Sequence, residues 1–208
     1  MALTAYARLR AMMDEGLLAA GQIVQERRLA EELGLSRTPV RDALGRLEGE
    51  RLLQRNGRML VVATITVPEI MDILRIRWLL EGEAAQQAAL HMDAGEVASI
   101  RAEILGMEKG QLLTDEAHWA LDDRLHLGVA LASGNAELRR LVTELRQRTR
   151  MFGLHRIPAR FEQGKQEHLA ILDAIAAREP ERAAELMRVH LDHARDAIIA
   201  TLRRTPAP

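Results

Sequence analysis

Along the first 65 residues the apolar positions switch between a helical and a strand-like period, whereas from residue 68 onward they hold a helical period almost to the end. The opening segment predicts a helix over 6–16, with Leu9, Met12 and Met13 on one side and Gly16 at its end. A second, short helix over 27–33 is stopped by Gly34, since glycine enters the left-handed helix-ending conformation without a Cβ penalty. Ser36 then has the side-chain oxygen of an N-cap, and Pro39 falls in a first turn, where a missing N–H costs little. A third helix is therefore expected over 37–50, with Val40, Ala43, Leu44 and Leu47 on its inward face. Residues 52–62 then predict two short strands around the dipeptide Asn56-Gly57, a hairpin signal.

The remaining pattern predicts six helices, over 69–91, 94–112, 115–132, 135–151, 159–178 and 180–202. Ser133-Gly134-Asn135 breaks one and caps the next, Ile157-Pro158 forces an extended step, and Pro180 opens the last. The expected fold is mainly α: a winged helix-turn-helix over 1–66, then an all-helical antiparallel bundle over 67–208.

Composition narrows the function classes. With 48% hydrophobic and 28% charged residues at net charge −1, the 208-residue chain reads as a soluble globular protein, and no stretch nears the length of a membrane span. The expected location is the cytoplasm, without membrane attachment. Zero cysteines exclude disulfides and thiolate ligands, so any metal site must use His and carboxylate. Residues 1–65 carry ten Arg against eight acids, a mildly basic segment in an otherwise acidic chain.

The placement of those arginines says more than their number. Ser36, Arg37, Thr38 and Arg41 fill the start of the third helix, the part of a helix-turn-helix that meets base edges in the major groove. Their hydroxyls and guanidiniums suit phosphate oxygens and guanine edges. Arg27 and the Gly57-Arg58 wing tip are placed to reach flanking backbone. An arginine on a helix surface is usually just solvated; here the ordered string matters. Glu26-Arg27-Arg28-Leu29-Ala30-Glu31-Glu32-Leu33-Gly34-Leu35-Ser36-Arg37-Thr38-Pro39-Val40-Arg41-Asp42-Ala43-Leu44 closely resembles the signature of GntR-family regulators. The resemblance implies DNA contact by Arg27, Ser36, Arg37, Thr38, Arg41 and Gly57. Met59 and Asn56 depart from the family's frequent glycine and proline in the wing.

In the bundle, Asp122 and His126 stand four residues apart on one helical face beside Trp119, Val129 and Ala130. His168 shares a face with Ile171, Leu172 and Ile175, and His190 one with Met187, Leu191 and Ala194. A lone buried histidine is more often hydrogen-bonded within a core; three with an aspartate predict a divalent metal site, for zinc, nickel, manganese or iron. His193 and His118 are rivals for the ligand role, while His91 and His155 read as surface or helix-end residues. Arg77-Trp78-Leu79-Leu80-Glu81, Asp122-Asp123-Arg124-Leu125-His126, Glu167-His168 and Met187-Arg188-Val189-His190 look like the FCD effector domain of the FadR subfamily, and six helices resemble its VanR-type branch. The resemblance implies metal ligation by Asp122, His126, His168 and His190. It also implies a small organic acid as effector, with Arg77 as carboxylate partner, although a salt bridge from Arg77 to Glu81 explains that residue equally well. Leu125 replaces the phenylalanine typical before the ligand histidine.

The function expected is a transcription regulator, a repressor, whose homodimer grips a palindromic double-stranded DNA operator and senses a carboxylic acid. The alternatives are a metal-dependent hydrolase, for which no general-base motif is visible, and an architectural DNA binder with structural histidines.

Overall fold

A computed structural model describes residues 2–106, 115–152 and 161–204. The predicted helix end at 107–112, the Ile157-Pro158 step, the helix start at 159–160, His155 and the tail 205–208 lie outside the described residues, as does the side chain of His118. Two units are distinguished, Met1–Val67 with Arg148–Gly153, and Pro68–Gln147 with Leu154–Pro208.

In the first unit, α1 (Ala2–Asp14), α2 (Glu26–Leu33) and α3 (Arg37–Gly49) accompany a small antiparallel sheet of β1 (Ile23–Val24), β2 (Leu53–Asn56) and β3 (Met59–Val62). The helical core is the one the periodicity marks out: Leu9 of α1, Leu29 and Leu33 of α2, and Val40, Leu44 and Leu47 of α3 are all buried. Gly34 sits at φ 63° and ψ 33° and lets the chain turn from α2 into α3. Ser36 occupies the N-cap position of α3 in extended conformation, but its side chain makes no capping hydrogen bond and is exposed. Its hydroxyl therefore faces outward instead of closing the helix end.

The sheet differs from the expectation in two ways. A third strand, β1, pairs with β3 through Ile23↔Val61 and Val24↔Leu60, so β3 is central. In the wing, Asn56 is the last paired residue, opposite Met59, and the two-residue turn is Gly57-Arg58. Gly57 takes φ 62°, while Arg58 is not among the residues of positive φ. A glycine first in the loop is the type II′ arrangement, so the turn uses Gly57 one position earlier than an Asn-Gly turn would.

The second unit comprises α4 (Val67–His91) from Pro68, α5 (Ala94–Leu105), α6 (Asp115–Ala132), α7 (Ala136–Met151) as far as Gln147, α8 (Phe161–Ala176) and α9 (Pro180–Arg204). Asp93 caps α5 through bonds from the Gly95 and Glu96 amides, and Asn135 accepts from the Leu138 amide at the start of α7. Ala84, Ala85, Ala88 and Ala89 of α4 are fully buried with Ile171, Leu172 and Ile175 of α8 and Met187 of α9. Small side chains there let neighbouring helices approach closely; a Cβ on Gly82 would lie 2.6 Å from Nε of Arg188 on α9. No described helix is long and apolar enough to cross a membrane.

Leu47, with no exposed surface, ties α3 into the first core. Leu47→Ala is expected to destabilise that unit by about 2–5 kcal/mol, read as an earlier urea unfolding transition.

Candidate metal centre and nucleic-acid interface

The inward faces of α6, α8 and α9 bring Asp122, His126, His168 and His190 together. One ligand atom from each lies within 4.8 Å of the others, a grouping found among the described residues at this place. The Nε2 atoms of His168 and His190 are 3.3 Å apart. Asp122 Oδ1 is 3.4 Å from Nε2 of His168 and 3.8 Å from Nε2 of His126. Metal bonds of about 2.1 Å in tetrahedral array hold their donors about 3.4 Å apart, close to the 3.3, 3.4 and 3.8 Å pairs here, so the four residues could hold an ion.

Two carboxylates outside the cluster, Glu81 and Glu167, decide which ring atom of His126 and His190 faces inward. His126 Nδ1 bonds Oε2 of Glu81, and Glu81 Oε1 accepts at 2.6 Å from Nε of Arg77. His190 Nδ1 donates to Oε2 of Glu167 at 2.8 Å, and the other Glu167 oxygen holds Nδ1 of His193 at 2.7 Å. With Nδ1 thus protonated on both rings, Nε2 keeps its lone pair, the carboxylate–histidine pattern that orients imidazole ligands. Nε2 of His126 is buried with no hydrogen-bond partner. An orphaned basic nitrogen at the centre of such a cluster fits a bound cation.

Arg146 of α7 lies only 3% exposed, its Nη2 2.6 Å from both Asp122 Oδ2 and Asp123 Oδ1. Burial alone would raise the Asp122 carboxyl; the charge of Arg146 and the bond and charge of the imidazoles outweigh it and hold Asp122 well below its usual range. Burial pushes His190 down to about 3 despite Glu167, and pushes His126 down with help from Arg146. Both rings are then neutral near pH 7, the form that ligates a metal. Around them Arg77 pairs with Glu81, and Arg146 with Asp122 and Asp123, while Glu167 holds His190.

Arg77 is 5% exposed and forms the ion pair with Glu81 that its spacing allowed. His193 is 43% exposed and stands behind Glu167, outside the ligand cluster. Sequence reasoning missed Glu81 and Glu167 as histidine holders and Arg146 as the partner of Asp122. The i,i+4 spacing of Arg77 and Glu81 was one signal; nothing separated Arg146 from the other arginines of α7.

In the first unit, Ser36, Arg37, Thr38 and Arg41 are exposed together at the start of α3, and Arg27 and Gly57 are exposed on α2 and the wing. Arg27 pairs with Glu31 at 2.9 Å. Arg37 and Arg41 share one carboxylate, Glu26 at the start of α2, at 2.8 and 2.9 Å. Those bonds, Arg41 first, hold the Glu26 carboxyl down to about 2.

The profile of the family described as bacterial regulatory proteins, gntR family, matches residues 1–59, and that of the FCD domain matches residues 72–193. The chain is 30% identical over 199 residues to the HTH-type transcriptional regulator BphR of Paraburkholderia xenovorans (strain LB400), spanning 90% of this chain and 80% of that protein. It is 30% identical over 207 residues to the Glc operon transcriptional activator of Escherichia coli (strain K12), spanning 86% and 82%. In fold it is similar to E. coli McbR/YncC, with a TM-score of 0.82 over 98% of both chains at 24% identity.

Because His126 and His190 are neutral when folded and take up protons near pH 6.5 when unfolded, the metal-free protein binds more protons in its unfolded state below that pH. Its melting temperature is therefore expected to fall as pH drops from 7 to 5, a trend measurable by calorimetry after chelation.

Proposed function

This chain belongs to the gntR family of bacterial regulatory proteins and carries an FCD domain, so it is a transcriptional regulator and not an enzyme; from that premise we propose that it is a sequence-specific repressor whose operator affinity follows a small carboxylic acid bound at a metal centre. The carrying observation is the convergence of Asp122, His126, His168 and His190 within the FCD match. These residues hold one divalent ion, of zinc, nickel, manganese or iron, which supplies a Lewis-acidic position for the effector's carboxylate. Glu81 and Glu167 keep the ligand rings turned inward, and Arg77, paired with Glu81, is the residue proposed to meet the effector's carboxylate.

On the DNA side, Ser36, Arg37, Thr38 and Arg41 address the major groove, while Arg27 and the Gly57 wing meet backbone. The protein acts in the cytoplasm as a homodimer on a palindrome, since two-fold protein symmetry is matched by half-site symmetry. An acid that prefers one arrangement of the bundle shifts the population toward it and alters operator affinity by the same coupling free energy. One relative is called an activator, and the sign of regulation is read from whether the acid loosens or tightens binding.

The test is operator affinity of the metal-loaded protein across a panel of small mono- and dicarboxylates. Repression with release predicts weaker binding with at least one acid; unchanged affinity with every acid and after chelation would sink the sensor reading. His168→Ala is expected to lose bound metal by elemental analysis and to abolish the acid response. Arg41→Ala is expected to weaken operator binding by about 1–3 kcal/mol while leaving metal content intact.

A further inference from the structure

Glu26 takes a particular edge of each recognition arginine. Its Oε1 accepts from Nε of Arg37 at 2.8 Å, and Arg41 grips it side-on through Nε and Nη2, each at 2.9 Å. A guanidinium has two forked edges, the side-on one that includes Nε and the end-on one formed by the two terminal nitrogens. A carboxylate on the Nε side turns the end-on edge outward. That edge matches the O6 and N7 acceptors of guanine in the major groove. The carboxylate comes from another helix, α2, so the two side chains are steadied from outside their own helix at 62% and 64% exposure.

The same carboxylate cancels one of the two positive charges. Phosphate attraction scales with free charge and carries no sequence information, whereas a fixed, forked donor discriminates between base edges. A long arginine that is already oriented also loses less freedom on docking. We propose that Glu26 is a specificity-determining positioning residue, presenting the end-on edges of Arg37 and Arg41 to guanine-containing base pairs while damping their attraction for backbone phosphate. This inference rests on the reading of α3 as the DNA-contacting helix.

The experiment uses the full chain. The wild type selects an operator from a randomised duplex pool, and affinities for that operator and for a random-sequence duplex are measured against salt for wild type, Glu26→Gln and Glu32→Gln. Glu32→Gln removes the same charge from the same helix without touching Arg37 or Arg41. For Glu26→Gln the ratio of specific to random affinity is expected to fall roughly tenfold, with the loss spread over the guanine positions. The salt slope on random duplex is expected to steepen by about one. Its melting temperature should match the wild type, because the pairs it breaks are exposed. Equal shifts in both duplexes, matching those of Glu32→Gln, would overturn the proposal by reducing Glu26 to a charge. So would a loss confined to a single base pair, which would make Glu26 itself the reader. A wild type that selects no duplex overturns the DNA-binding reading and the inference with it.

Discussion

Ionised groups cannot be taken out of water unless each finds a partner, and the interior of the helical bundle is built around that constraint. Glu81 is 1% exposed and Arg146 3%, and between them lie three imidazoles and Asp122. Each carboxylate is shared: Glu81 between Arg77 and His126, Asp122 between Arg146 and the histidines, Glu167 between His190 and His193. Sharing turns the rings of His126 and His190 so that Nε2 of each is left for the common centre. The ligand geometry is thus a consequence of satisfying buried charge, and the two cannot be altered separately.

Arginine performs opposite tasks in the two units. In the bundle, Arg77 and Arg146 are enclosed and act as fixed counter-charges whose removal leaves a carboxylate stranded. On α3, Arg37 and Arg41 stand in solvent, where an ion pair contributes little to stability and its value lies in orientation. The carboxylate partner is the same chemical group in both settings; burial alone changes what the pair is for.

Much of this could be read from the sequence because helical periodicity tells which face is inward. Asp122, His126, His168 and His190 are polar residues interrupting apolar stripes, and such interruptions are visible in one dimension. Their holders are not. Arg146 sits among Arg139, Arg140, Arg148 and Arg150 on a helix rich in solvated charge, and only packing reveals that its guanidinium is enclosed. Glu26 looks like an ordinary first-turn acid, since its partners arrive from 11 and 15 residues away. Strand β1 escaped for a different reason: two residues carry no period, and their pairing is set by β3. The wing turn was expected at Asn-Gly, yet strand register moved it to Gly57-Arg58, a tertiary preference overriding a local one.

The wide separation of the cluster's members along the chain bears on how the site comes together. His168 and His190 alone are 22 residues apart, and no short loop presents two imidazoles as a ready chelate. Closing such intervals is entropically unfavourable, and it is helix packing through Ile171, Leu172 and Met187 that brings the segments into register. Bringing the four side chains together is therefore the work of helix packing, and an ion held by the cluster would bind at a place that the fold itself assembles.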